Sequence, residues 1–395
     1  MERDLRLILV IQALRAFAYG FGSVILGAAL ANSGLGRGEV GLVFGAMLAG
    51  MALVSIGVGM RGERIGRRKL YAGLLLMMGV AGTVFALTTL VPLLVLFALT
   101  GTLSTDPNES GPITSLEQAM LGQASPEVRT RIFGKYNAVA YLAGSFGALA
   151  AGGPDAFRGV LPAMPPDQRW LLLLPVVALL CASIAVRLSP SVEATGEGEP
   201  PPKPLVRSRA TVAELAKLFS LDSFAGGFIV QAFLVYWFNV KFGASVRLMA
   251  VVFFVAGLLQ AGSSILSGRV AHRFGMLNTM VFTHLPSNVL LIMVPLMPTL
   301  QLAIAMLLLR FALSQMDVPA RQAYVVAMVD PGERTAAAAY TNTARYVTRP
   351  FGALGAAAVM QIAIGAPFVV AGGLKIVYDV AIYEKFRKVP LPEER

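Results

Sequence analysis

A single cysteine and two histidines leave this chain little material for thiol or metal chemistry. Cys181 has no second thiol to pair with, which excludes an intramolecular disulfide, and it lies in an apolar run away from other soft ligands. His272 and His284 are far apart in sequence and form no metal-spaced cluster. Charge is also scarce, at 14 % of residues against 56 % hydrophobic, and acids are fewer than bases, 22 against 33. A soluble protein of this length carries more charge and has less apolar surface to hide. A Walker-type phosphate loop is missing, as is any Ser/His/Asp constellation, so neither direct ATP coupling nor an embedded enzyme is supported. No cofactor is expected.

What is present is apolar sequence in windows of about 20 residues, the length a helix needs to cross a bilayer. About twelve such spans are predicted, over 7–31, 40–60, 70–89, 91–104 (resuming after a break), 132–152, 170–187, 218–240, 247–267, 275–297, 299–316 (also resuming), 335–363 and 365–383. The class is all-α integral membrane protein. Residues 7–31 end in Ala-Leu-Ala like a signal-cleavage site, but the apolar core is long and carries Arg15, which fits an uncleaved first span. The net charge of +11 sits in connections beside spans: Arg61, Arg64, Arg67, Arg68 and Lys69; Arg129, Arg131 and Lys135; Lys385, Arg387 and Lys388. Clusters so placed report orientation and contact with anionic lipids, not nucleic acid. They put both termini in the cytoplasm of a cell (inner) membrane protein. Segment 189–216, rich in Pro, Gly and Glu, reads as a cytoplasmic linker between an N-terminal bundle, 1–188, and a C-terminal bundle, 217–395. Ala210–Leu218 is expected as a short surface helix.

The two halves repeat. Pro126, Arg129, Thr130, Asn137 and Phe146-Gly147-Ala148-Leu149 return at one constant interval as Pro331, Arg334, Thr335, Asn342 and Phe351-Gly352-Ala353-Leu354. A basic turn, Gly59-Met-Arg-Gly-Glu63-Arg64-Ile-Gly66-Arg67-Arg68, has its counterpart in Gly268-Arg-Val-Ala-His272-Arg273-Phe-Gly275. Duplicated bundles of this kind enclose a central cavity.

These residues resemble the signature of the major facilitator superfamily: glycine, an acid four residues on, a base, then glycine and further bases. Gly59, Glu63, Arg64, Gly66, Arg67 and Arg68 match, with Glu in place of the commoner Asp. Gly268, Arg273 and Gly275 match in the second half, where His272 replaces the acid. The resemblance implies about twelve transmembrane helices in two pseudo-twofold-related bundles. It further implies secondary transport of a small organic molecule by a monomer, and a turn that latches the cytoplasmic helix ends. Solvated charges that merely fix orientation explain the bases of the turn too, though not its glycines.

Ionisable groups inside spans cost about 2.5–3.5 kcal/mol each at the bilayer centre and need a partner or a wet cavity. Gln12, Arg15, Tyr19 and Ser23 share one face of the first span; Arg310, Ser314, Asp317 and Arg321 follow helical spacing in the tenth. Both stripes read as cavity walls or as helix-to-helix glue, and the resemblance, which lines the cavity with the first and tenth spans, favours walls. The fourth span breaks at 105–112, which makes Asp106 and Glu109 candidate proton sites or, equally, solvated acids at a kink. Glu117-Gln118-Ala119 answers Arg321-Gln322-Ala323, so a Glu117–Arg321 pair is expected at the cytoplasmic gate. Asp222 is expected to balance Arg15. Arg345 and Arg349 are expected to meet Asp317, Glu63 or lipid phosphates, and Lys375 to neutralise Asp379 one turn away. The leading function is proton-coupled efflux, with proton-linked uptake of an organic anion or nutrient, and a non-transporting receptor or scaffold, as the alternatives.

Overall fold

The computed structural model describes residues 2–104, 111–121, 126–157, 167–193, 205–330 and 333–389. Within them the chain forms helices α1 (Glu2–Ala31), α2 (Arg37–Ile65), α3 (Arg67–Leu87), α4 (Val91–Ala98), α5 (Pro112–Leu121), α6 (Pro126–Ala150), α7 (Gly153–Phe157) and α8 (Leu173–Ala185). They continue as α9 (Arg209–Gly227), α10 (Gln231–Phe242), α11 (Val246–Phe274), α12 (Met276–Met293), α13 (Leu300–Ser314), α14 (Asp317–Ala327), α15 (Arg334–Ile362) and α16 (Ala366–Phe386). No β-strand occurs among the described residues. Nine stretches among them are long and apolar enough to cross a membrane. The remaining expected spans are interrupted, as α4 and α5 are, or carry more polar residues, as α6 and α15 do. This is an all-α integral membrane protein.

Two compact units emerge, Met1–Gly196 with Val230–Gly257, and Glu197–Ile229 with Leu258–Arg395. In the first, α1 runs against α6 at backbone contact: a Cβ on Gly20 would strike the Gly144 carbonyl, and one on Gly147 the Phe17 carbonyl. Without a hydrophobic drive between helices in lipid, such small-residue crossings let backbones approach and gain dispersion energy. The second unit repeats the device between α9 and α15. A Cβ on Gly227 would strike the Arg349 carbonyl, and one on Gly352 the Phe224 carbonyl. Phe17 and Gly20 thus correspond to Phe224 and Gly227, and by the same register Arg15 corresponds to Asp222. Segment 230–257 belongs to the first unit because Gly27 admits the Ala232 carbonyl, Gln231 bonds Ser23 at 2.8 Å, and Phe254 meets Phe146 at 5.5 Å between centroids. The core of the second unit gathers Val212, Leu215, Phe219, Met280, Tyr324 and Tyr378 from α9, α12, α14 and α16.

The flanks of the expected linker are structured. Ser189 donates its backbone N–H and its hydroxyl to Asp4 at 2.9 and 2.7 Å. Val206, Arg207 and Ser208 donate backbone N–H groups to the Glu333 carboxylate at 2.7–3.0 Å. The expected surface helix over 210–218 is instead the first half of α9, since nothing in Arg209–Gly227 interrupts the helix. The expected seventh span, in turn, is divided at Phe228–Val230 between α9 and α10.

Candidate functional site

Each unit buries an ion network. In the first, Arg15 on α1 reaches Glu117 on α5, Nη2 to Oε2 at 2.5 Å, with side chains 3 % and 0 % exposed. The other carboxylate oxygen accepts the Tyr71 hydroxyl of α3 at 2.6 Å, and Tyr136 of α6 donates to Oε2 as well. Arg15 also donates to Gln12 one turn earlier, and its guanidinium lies 5.3 Å from the Tyr19 ring. Tyr19 spends its hydroxyl on the Thr102 carbonyl at 2.6 Å, beyond the end of α4. A carboxylate charged inside a membrane helix bundle has to accept hydrogen bonds on both oxygens, and Glu117 does.

In the second unit Asp222 on α9 is the hub. Its Oδ1 takes Lys375 Nζ of α16 at 2.5 Å and faces His284 Nε2 of α12 at 3.9 Å. Its Oδ2 takes Arg321 Nη1 of α14 at 3.3 Å, with Arg345 Nη2 of α15 at 3.9 Å. Arg321 also bonds Asp317 at 3.0 Å, one turn earlier on α14, and lies 5.6 Å from the Phe219 ring. The helix breaks between Ser314 and Asp317, and Ser267 Oγ donates to the Met316 carbonyl there at 2.6 Å. Asp317 falls in the first turn of α14, where the helix dipole favours an anion. Deeper in, His284 Nδ1 meets Asp379 Oδ1 at 2.8 Å, and Asn288 donates to Asp379 Oδ2 at 3.0 Å.

Gln12, Arg15, Tyr19 and Ser23 form one buried polar face of α1. Arg310 packs its guanidinium 5.1 Å from the Phe311 ring, and Ser314 is buried with no partner for its hydroxyl among the described residues. Glu117 and Arg321, expected to pair, are each engaged inside their own unit, as are Arg15 and Asp222. The expected Lys375–Asp379 pair is corrected: one-turn spacing puts both on one face of α16, but Lys375 gives its hydrogen bond to Asp222, while Asp379 faces His284 and accepts from Asn288. Asp106 and Glu109 lie outside the described residues, and the side chains of Glu63 and Arg64 do too.

In the basic turns, Gly66 and Gly275 hold φ of 93° and 85° and open α3 and α12 respectively, a left-handed backbone that favours glycine. The carboxylate on the amino end of α3 is that of Glu193, which accepts the Arg67 and Arg68 backbone N–H groups at 2.6 and 3.3 Å. Arg68 caps the end of α8 through the Val186 carbonyl at 3.2 Å, and Arg67 reaches the Ala119 carbonyl at 3.4 Å. Arg273 lies 5.4 Å from the Phe274 ring, and Gly268 has open space where a Cβ would stand. Sequence reasoning missed Tyr71, Tyr136, Glu193, His284, Asn288 and Glu333. Only the polarity of Tyr71, His284 and Asn288 inside apolar runs hinted at them.

Comparison with known proteins places this architecture. An uncharacterized membrane protein of Saccharomyces cerevisiae, YJR124C, is 27 % identical over 89 % of this chain and 86 % of its own length. The crystal structure of the nucleoside transporter NupG superposes with a TM-score of 0.76 at 12 % identity, covering 98 % of this chain and all of that one. A D-xylose–proton symporter structure gives 0.69 at 15 % identity, covering 98 % and 99 %. At such identities the solved structures speak for the fold. The model of the Major Facilitator Superfamily matches residues 8–383, and the chain belongs to that family.

Proposed function

We propose that this protein moves a small organic molecule across the cell (inner) membrane by alternating access, coupled to protons, with export as its direction and both termini in the cytoplasm. The observation that carries the reading is the pair of buried ion networks. Groups that cost kilocalories to place in a bilayer are gathered on helices α1, α5, α9 and α14, two of them short and set beyond breaks in their spans. A scaffold gains nothing from such groups, because apolar packing is at least as stable as a buried ion pair. In this reading Gln12, Arg15 and Tyr19 in the first unit, and Asp222, Arg310, Ser314 and Asp317 in the second, respond to substrate and ions. The basic turns around Gly66 and Gly275 latch the cytoplasmic helix ends. Proton coupling is supported by a solved fold relative that is a proton symporter. Arg15, Arg310, Arg345 and Arg349 leave room for an organic anion, and Asp222 with Asp317 for an organic cation, so both classes enter the substrate screen.

The test is purified protein in proteoliposomes under an imposed pH gradient, with proton flux and compound loss read together. Loss of a compound that reverses sign with the gradient is expected. Flux that ignores the gradient would remove proton coupling, and a protein that moves neither protons nor any compound would be a receptor or scaffold.

A further inference from the structure

His284 stands between two carboxylates that come from different helices. Asp379 of α16 is 2.8 Å from Nδ1, and Asp222 of α9 is 3.9 Å from Nε2. Asn288, one turn along α12, holds the second Asp379 oxygen at 3.0 Å, so Asp379 is fixed as an acceptor facing the ring. Asn288 Nδ2 also lies 3.2 Å from Nδ1; with Asp379 ionised the ring donates Nδ1–H to that carboxylate, which leaves Nε2 as the nitrogen free to gain a proton.

The surrounding groups set the charge balance. From α16 come Lys375, Asp379 and Tyr378, whose ring is edge-on at 6.0 Å; from α9, Asp222; from α14, Asp317 and Arg321; from α15, Arg345. The ionisable residue of α13 is Arg310, whose guanidinium lies over the Phe311 ring. With a neutral ring, the carboxylates of Asp222, Asp317 and Asp379 are matched one for one by Lys375, Arg321 and Arg345. A proton on Nε2 adds a positive charge with no counter-charge of its own. The nearest relief is Asp222 Oδ1, the atom that Lys375 already holds.

We propose that His284 is a proton-binding site of the second unit, with Asp379 as the residue that positions its ring, and that the bound proton draws Asp222 Oδ1 away from Lys375 of α16 towards the imidazolium of α12. The inference rests on the proton-coupled reading above and names the group that takes the proton. In the step, a proton from water adds to the Nε2 lone pair and Nδ1–H stays donated to Asp379. The Lys375–Asp222 hydrogen bond is exchanged for one from Nε2–H, while Lys375 retains the Asp222 carbonyl at 3.5 Å. One proton is taken up and no covalent bond between heavy atoms changes.

The chain's two histidines make this testable, because His272→Asn leaves His284 as the sole imidazole. In nanodiscs, histidine ring nitrogen signals are expected to pass from a single Nδ1–H tautomer to the imidazolium as the pH is lowered. With Asp379→Asn the neutral ring should show mixed tautomers. A ring whose signals stay fixed as the pH is lowered overturns the proposal, whether or not any variant transports. In proteoliposomes, the steady-state accumulation of compound that one coupled proton sustains, about tenfold per imposed pH unit, should fall to near one in His284→Gln. A variant that keeps the wild-type accumulation also overturns it. Wild-type protein that moves no compound at all defeats the transport reading instead, and the ring titration still decides this one.

Discussion

In the first unit the buried cation stands on α1 and its anion on α5; in the second the anion stands on α9 and its cation on α14. The glycine crossings that put Phe17 opposite Phe224 and Gly20 opposite Gly227 make Arg15 and Asp222 counterparts, and Glu117 and Arg321 follow from the matching Gln-Ala that succeeds each. One bridge has therefore been built twice with its charges exchanged, and the surroundings differ accordingly. Glu117 is finished with neutral hydroxyls, from Tyr71 and Tyr136, that bring no charge of their own. Asp222 is surrounded by Lys375, Arg321, Arg345 and His284, all seeking the same two oxygens. A closed network fixes a geometry, whereas an over-subscribed one can exchange partners at little cost.

That contrast predicts how each network fails. Glu117→Leu strands Arg15 as a buried charge and should cost about 3–5 kcal/mol, read as a fall in melting temperature in detergent; Arg15→Leu added to it should return most of the loss. Lys375→Met leaves Asp222 with Arg321 and should cost only about 1.5–3 kcal/mol, the value of one charged hydrogen bond. Equal losses from the two changes would show that the second network is as closed as the first. The crossings should respond alike, since both bring carbonyl oxygen against glycine: Gly147→Ala and Gly352→Ala are each expected to cost about 1–3 kcal/mol. A marked difference in melting between those two variants would break the correspondence on which the charge exchange rests.

Much of this architecture is legible in the sequence. Apolar windows and basic connections carry the class because a bilayer admits few backbone solutions. The repeat of Phe-Gly-Ala-Leu is visible because the same crossing is made twice. Arg15, Glu117, Asp222 and Arg321 stand out because charge inside a span is expensive. Their partners do not, because a hydrogen bond between α3 and α5, or between α12 and α16, depends on tertiary approach that no local spacing encodes. Lys375 and Asp379 illustrate the trap: helical spacing makes them neighbours, yet each bonds a partner on another helix. The basic turn offers its own acid, Glu63, close to the α3 amino end in sequence. Glu193 holds that place from far along the chain, and it comes near only after α8 has folded back.

The ends of the connection between 193 and 205 offer the finest comparison, since Glu193 grips backbone N–H groups of the first unit and Glu333 those of 206–208 in the second. Glu333 lies outside the membrane spans, and the amides of Val206 and Ser208, with the Ser208 hydroxyl, pull its carboxyl down to about 2 from the ordinary glutamate 4.5. A depressed carboxylate stabilises the fold fully above the ordinary value, and that contribution is lost as pH falls through the depressed one. Hydrogen exchange at Val206, Arg207 and Ser208 should therefore stay protected at neutral pH and open progressively between pH 4.5 and about 2. Glu333→Gln should lower the protection at neutral pH and flatten its acid dependence, because an amide oxygen accepts the same bonds without charge. Protection that fell equally with acid in both proteins would assign the opening to other carboxylates and leave the clamp at Glu333 without a role in holding the start of α9.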